Sequence, residues 1–167
     1  SNSSESTIGA SSYLEYFHGL VTGRPPKIDL QDEKCCQRFL REAILKNYII
    51  SSHDVSDGGL AIALSECCVL SSKGATIALD NESNRLDNVF FSEGGSRIIF
   101  TINNKKELDW LNYLNARQNH FTESIFVKNI GYVSNNNLKI DVQKKEICNI
   151  KVEELTEKFN NSISGKF

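Results

Sequence analysis

Tyr48-Ile49-Ile50-Ser51-Ser52-His53-Asp54-Val55-Ser56-Asp57-Gly58-Gly59-Leu60-Ala61-Ile62-Ala63-Leu64-Ser65-Glu66-Cys67-Cys68 carries three structural signals in succession. The β-formers at its start predict a short strand over Tyr48 to His53. Asp54 to Gly59 combines Asx, Ser and two glycines, the composition of a tight turn. Leu60, Ala63, Leu64, Cys67 and Cys68 then fall at i, i+3, i+4, i+7 and i+8, the apolar stripe of an amphipathic helix. A strand that runs through a glycine turn into a helix is the clearest local signal in the chain.

Working outward, Cys36, Phe39, Leu40, Ala43 and Ile44 recur at helical spacing and predict a helix over Gln31 to Lys46. Gly23-Arg24-Pro25-Pro26 before it is a stiff extended joint, because each proline fixes its own φ and restricts its predecessor. On the other side, alternation predicts a strand at Ala75 to Leu79, Ile98 to Ile102 reads as a strand behind a Gly-rich turn, and Ser124 to Val133 and Leu138 to Val142 also read as strands. Asn135-Asn136-Asn137 between the last two predicts a hairpin turn. Lys105 to Arg117 and Val152 to Asn160 predict further helices, and Asp80 to Asp87 reads as a loop. Strands and helices alternate without a strict βαβ rhythm, so we expect an α+β fold, a mixed sheet covered by helices. Ser1 to Ser12, with six serines, reads as a flexible lead-in, and residues 13–167 as one domain.

The chain has 167 residues, 40% hydrophobic and 24% charged, enough apolar material for a core. Its net charge of −2 provides no electrostatic footprint for nucleic acid or an anionic membrane. Leu60 to Leu70 is the longest mostly apolar stretch and is too short and polar to span a bilayer. The five cysteines include two adjacent pairs without C-x-x-C spacing, and they read as small core residues in a reducing compartment. Together these features predict a soluble cytoplasmic domain.

Two turns have residues that can do chemistry. In Asp54-Val55-Ser56-Asp57-Gly58-Gly59, the glycines allow backbone to approach a ligand, and the helix that follows offers unpaired N–H donors to a phosphate. The competing reading is structural: Ser56 or Asp57 caps the helix and the glycines relieve the turn. In Ser92-Glu93-Gly94-Gly95-Ser96-Arg97, Arg97 offers a guanidinium to phosphate, beside a carboxylate and a hydroxyl. Its structural alternative is a hairpin turn with solvated charges. His53 reads as a hydrogen-bonded residue that orients its turn, and no complete nucleotide-binding or zinc signature is present.

The string from His53 to Glu66 resembles the C-terminal domain of the aminoimidazole-ribonucleotide-synthetase-like superfamily. Its Asp-Val-Ser-Asp-Gly-Gly wording is similar to the form carried by the synthetases of the fourth step of purine biosynthesis. Further similarity lies at Gly9 to Tyr13 through His18-Gly19, with Ser12 where Glu is common, and at Ser92-Glu93 to Arg97, with Gly94 and Gly95 as departures. Ile130-Gly131-Tyr132-Val133 and Val152-Glu153-Glu154-Leu155 resemble the family's tail. The resemblance implies a three-layer α/β/α domain. It also implies part of an ATP-dependent ligase that converts formylglycinamide ribonucleotide, ATP and glutamine-derived ammonia to the amidine, ADP and phosphate.

By the same resemblance, ATP and magnesium serve the intact enzyme, and this segment alone is expected to bind neither tightly and to hold no catalytic residue. The implied partners are upstream domains of the same subunit, a glutamine amidotransferase subunit and a small bridging subunit. Asp54, Ser56, Gly58, Gly59, Glu93, Ser96 and Arg97 are the candidate phosphate or ligand contacts. A scaffold domain with a degenerate site is the alternative, as is a related ligase or kinase with another substrate.

Overall fold

The computed structural model describes residues 7–80, 85–118 and 125–164. Its helices are α1 (Ser12–His18), α2 (Leu30–Leu45), α3 (Gly59–Ser71), α4 (Leu86–Phe91), α5 (Glu107–Gln118) and α6 (Val152–Ser164). Its strands are β1 (Ile49–Asp54), β2 (Gly74–Leu79), β3 (Ile98–Ile102), β4 (Gly131–Ser134), β5 (Asn137–Val142) and β6 (Lys145–Lys151). The class is α+β with a mixed sheet, as the sequence predicts.

The strands divide into two sheets. β4-β2-β5-β6 form one, with β2 and β5 parallel and the other neighbours antiparallel, while β1 and β3 form an antiparallel ribbon. The expected hairpin at Asn135 to Asn137 is therefore corrected. β4 and β5 do not pair with each other, because β2 lies between them. The asparagines carry the chain past the start of β2, where the Gly74 amide donates to the Asn135 carbonyl at 3.1 Å. Only glycine fits there, since a Cβ would stand 2.2 Å from the Asn137 carbonyl oxygen. Alternation identifies a strand but not its neighbour.

The true hairpin joins β5 to β6 through Gln143 and Lys144, with φ of 50° and 65°. This left-handed pair suits a tight hairpin but uses neither Gly nor Asn, so the usual sequence signal is missing. β6 was hidden for a second reason: it is a short, largely exposed edge strand with charges at both ends and no clean alternation between them, and edge charge guards against aggregation. α4, only six residues long, is too short to show periodicity.

Two cores flank the β1–β3 ribbon. Leu64 and Cys68 of α3, Ile77 and Leu79 of β2, Leu138, Ile140 and Val142 of β5, Phe90 and Val152 form the first. Phe39 and Ala43 of α2, Ile49 of β1 and Trp110 of α5 form the second. Ile99 packs against the first core and its strand neighbours Phe100 and Ile102 against the second. Successive strand residues point to opposite faces, so β3 is a partition between two helical layers.

Asp29 caps α2, accepting from the amides of Gln31 and Asp32 at 2.8 and 3.1 Å. Residues 7–12, read from the sequence as part of a lead-in, have defined contacts. Ser11 is buried, its hydroxyl donates to the Ile8 carbonyl at 2.6 Å, and the same oxygen caps α1 by accepting from Leu14 N. The strand expected over Ser124 to Val133 begins outside the described residues, and within them it is confined to β4. His120 also lies outside them.

None of the five cysteines forms a disulfide, and Cys35 and Cys68 are buried. Burial pushes the Cys68 thiol up from its ordinary value of 9.0 to about 11. The neutral thiol is favoured in the fold, so Cys68's contribution is complete below about pH 9 and declines as pH rises towards 11. We expect alkaline urea titrations to show this loss, about 2 kcal/mol from Cys68. Cys68→Ala should make the pH 8 to 11 profile flatter, and an unchanged slope would contradict the assignment.

Candidate functional site

The two turns singled out in the sequence are one structural unit. β1 and β3 are antiparallel, with Asp54 opposite Ile98, so the exit of β1 and the approach to β3 share one end of the ribbon. Val55, buried just past β1, donates its amide to the Arg97 carbonyl at 3.0 Å. Gly59 then sits against the end of α4, where a Cβ would lie 2.6 Å from the Phe90 carbonyl oxygen and 2.8 Å from that of Ser92. Sequence distance concealed this adjacency, since it depends on strand pairing across more than forty residues.

Neither Ser56 nor Asp57 caps α3. The cap is Gly58, at φ 76° and without a side-chain cap, followed by Gly59 at φ 67°. Both conformations favour glycine, because an L side chain in the left-handed region strains the backbone. Placing the cap at Gly58 turns Ser56 and Asp57 outwards, and both are exposed, as is Asp54. The Ser56 carbonyl accepts from the Gly59 amide at 3.0 Å. His53 Nδ1 lies 2.6 Å from the Asp54 carbonyl oxygen and its Nε2 lies 3.5 Å from Glu66 Oε2, midway along α3.

The second turn is fastened from inside. Glu93 Oε1 accepts from the Ser12 amide at 2.8 Å and from the Gly58 amide at 2.7 Å, linking α1 to the turn before α3. Tyr13 reinforces the link by stacking on Phe91, with ring centres 4.4 Å apart and planes 8° from parallel. Ser96, at φ 58°, donates its hydroxyl to Glu33 Oε2 on α2 at 2.7 Å. That hydrogen bond, with one from Gln37, holds the Glu33 carboxyl below its ordinary value.

Arg97 Nη1 donates to the Ser92 hydroxyl at 2.8 Å and to the Ser92 carbonyl at 3.1 Å. Burial pulls the Arg97 guanidinium below its ordinary value, but arginine remains a cation at neutral pH. It is the one cationic side chain of this turn. Ser92 is 1% exposed and was not singled out from the sequence; one serine between Phe91 and Glu93 carries no signal of burial. The reading of this turn as a hairpin is corrected as well, because α4, not a strand, precedes it.

The structure therefore brings all seven candidates to one end of the ribbon, in two groups. Asp54 and Ser56 are exposed, and Gly58 and Gly59 shape the backbone. Glu93, Ser96 and Arg97 are held by internal hydrogen bonds. Among the described residues, no three His, Cys, Asp or Glu side chains converge as a metal site. Magnesium binding needs several oxygens around one octahedral centre, so the exposed Asp54 and Asp57 do not form a complete site for it.

The family profile described as "AIR synthase related protein, C-terminal domain" matches residues 2–142. The chain is 68% identical over its full length to a phosphoribosylformylglycinamidine synthase subunit PurL from Prochlorococcus marinus strain MIT 9312, and covers 21% of that protein. It is 40% identical over 94% of its length to the subunit of that name from strain MIT 9313, covering 20% of it. The chain thus spans about a fifth of the length of these relatives. Among solved structures, it resembles PurLQS from Thermotoga maritima, with TM-score 0.64 and 16% identity over 78% of this chain and 23% of that one. T. maritima PurL complexed with FGAR is similar at TM-score 0.61 and 17% identity, over 74% of this chain and 21% of that one. T. maritima PurL complexed with ATP gives TM-score 0.60 and 16% identity over the same shares. At these identities the structures speak for the fold, and the profile, which matches well over half of the chain, speaks for kinship: the chain belongs to the AIR synthase related protein, C-terminal domain family.

Proposed function

We propose that this chain is the C-terminal domain of a cytoplasmic phosphoribosylformylglycinamidine synthase, an ATP-dependent ligase of purine biosynthesis. The supporting observation is the full-length similarity, at 68% identity, to a PurL subunit. The intact enzyme would take formylglycinamide ribonucleotide, magnesium-ATP and glutamine-derived ammonia, with a glutamine amidotransferase subunit and a small bridging subunit as partners. That related PurL structures hold FGAR and ATP, and that one is of PurLQS, supports the substrate and the assembly. No described helix is long and apolar enough to cross a membrane.

In this reading the Gly58-Gly59 turn and Arg97 border a phosphate-bearing ligand at the junction with an upstream domain. The Gly58 and Gly59 amides already donate to Glu93 and to the Ser56 carbonyl, so the turn would give the ligand close backbone approach while the Arg97 cation offsets phosphate charge without reorganising. Magnesium would be held by carboxylates of the upstream domains and would neutralise the triphosphate. The chain alone would be inactive and would bind neither ATP nor magnesium tightly. The complete subunit should release ADP only with formylglycinamide ribonucleotide, magnesium-ATP and ammonia together, and this chain alone should release none. A folded complete subunit with no such release would overturn the substrate assignment.

One observation favours a second reading, a scaffold role: Glu93, Ser96 and Arg97 are engaged in internal bonds. Asp54 separates the two because its carboxylate is exposed and free of described hydrogen bonds. Asp54→Ala in the complete subunit should leave the melting temperature within about 1 °C, as surface changes do. It should raise the KM for ATP or the ribonucleotide about tenfold, the worth of one charge-assisted hydrogen bond. An unchanged KM for both would favour the scaffold.

A further inference from the structure

We infer that Glu93 is a positioning residue, which sets the Gly58-Gly59 turn through the backbone and does not itself touch ligand. The inference rests on the reading of that turn as the ligand-facing element. Three features carry it. First, one carboxylate oxygen is shared by two main-chain donors, Ser12 N at 2.8 Å and Gly58 N at 2.7 Å, from segments far apart in sequence. Second, Gly58 caps α3 with no side-chain cap of its own, so Glu93 supplies from outside the negative charge that a helix start favours. Third, Gly58 lies in the left-handed region, where a glycine has wide freedom and needs an external restraint to hold one geometry.

A carboxylate on Gly58 N also repels a phosphate from that amide. Any anion near the turn must use other donors, and Arg97 is the cation beside it. Glu93 thus shapes the anion-facing surface by excluding the position it fills, as well as by fixing the backbone.

Amide hydrogen exchange on this chain tests the strut without activity. Glu93→Asp keeps the charge but withdraws it by one methylene, and Glu93→Gln keeps an acceptor at the same reach. In the Asp variant, the Ser12 and Gly58 amides should both exchange about tenfold faster or more, the loss expected for a charge-assisted hydrogen bond. Core amides such as those of Ala63 and Ile140 should be unchanged, and Glu93→Gln, a neutral acceptor at the same reach, should restore part of the protection. Unchanged exchange at both amides, or acceleration at only one, would overturn the shared strut.

In the complete subunit, Glu93→Asp should raise the KM for ATP or the ribonucleotide several-fold, with kcat little changed and Gln recovering part of the loss. Unchanged KM for both in an active subunit would overturn the positioning role. Absence of ribonucleotide-dependent ADP release in the parent subunit would instead overturn the functional reading, with the strut still decided by exchange.

Discussion

Gly59→Ala should lower the stability of the chain by about 3 kcal/mol, a melting temperature drop of roughly 10 °C for a domain of this size. Two costs combine. At φ 67° an alanine pays the left-handed penalty of roughly 1 kcal/mol. Its Cβ would also press against the Phe90 and Ser92 carbonyl oxygens, at 2.6 and 2.8 Å, and against the Phe91 carbonyl carbon at 2.9 Å. These are backbone atoms, which cannot swing aside as a side chain does, so α3 and the end of α4 must separate. Since that contact holds the two turns together, the variant should also disturb the Arg97–Ser92 hydrogen bonds. Gly94→Ala is the matched control: its Cβ would meet nothing within 4 Å, and a change within about 0.5 kcal/mol is expected. Thermal melts of both variants decide the point, and equal small effects would show that α3 and α4 do not need this close approach.

Leu138→Ala should cost about 3 kcal/mol in urea unfolding, with the midpoint lowered and the slope unchanged. Leu138 is 1% exposed, on β5 between β2 and β6, in the core that Leu64, Ile77 and Val152 also line. The surrounding elements come from four separate parts of the chain and cannot all close on the space left by three lost carbons. Leu70, on α3 but 71% exposed, is the comparison, and its replacement by alanine should cost well under 1 kcal/mol. Similar losses at the two positions would mean that the sheet is not packed as described.

The elements legible in the sequence were those with enough length to show a period. α2, α3 and α5 fall where apolar residues recur at helical spacing, β2 and β5 where they alternate, and β3 where an apolar run follows a glycine turn. α4 and β6 escaped for opposite reasons, one being too short and the other charged at the sheet edge. The cysteines read as small core residues; Cys35 and Cys68 are buried, while Cys36, Cys67 and Cys148 are half-buried at the core's margin. The candidate residues were legible as two turns, but the division among them was not. Asp54 and Ser56 face solvent, while Glu93, Ser96 and Arg97 turn inwards to donors and acceptors on α1, α2 and the α4 end.

The sequence by itself determined the class of the fold, the strand–turn–helix unit at Ile49–Asp54 and Gly59–Ser71, and the kinship that its wording implied. Those depend on local chemistry: side-chain period, glycine's access to left-handed backbone, and the identity of a contiguous string. Only the tertiary structure decided that β2 separates β4 from β5, that Glu93 joins two distant amides, and that the two glycine turns share one end of the β1–β3 ribbon. Each of these is a pairing between segments far apart in the chain. No residue records its partner locally, because the choice is made by which arrangement buries the most apolar surface with every inner polar group bonded.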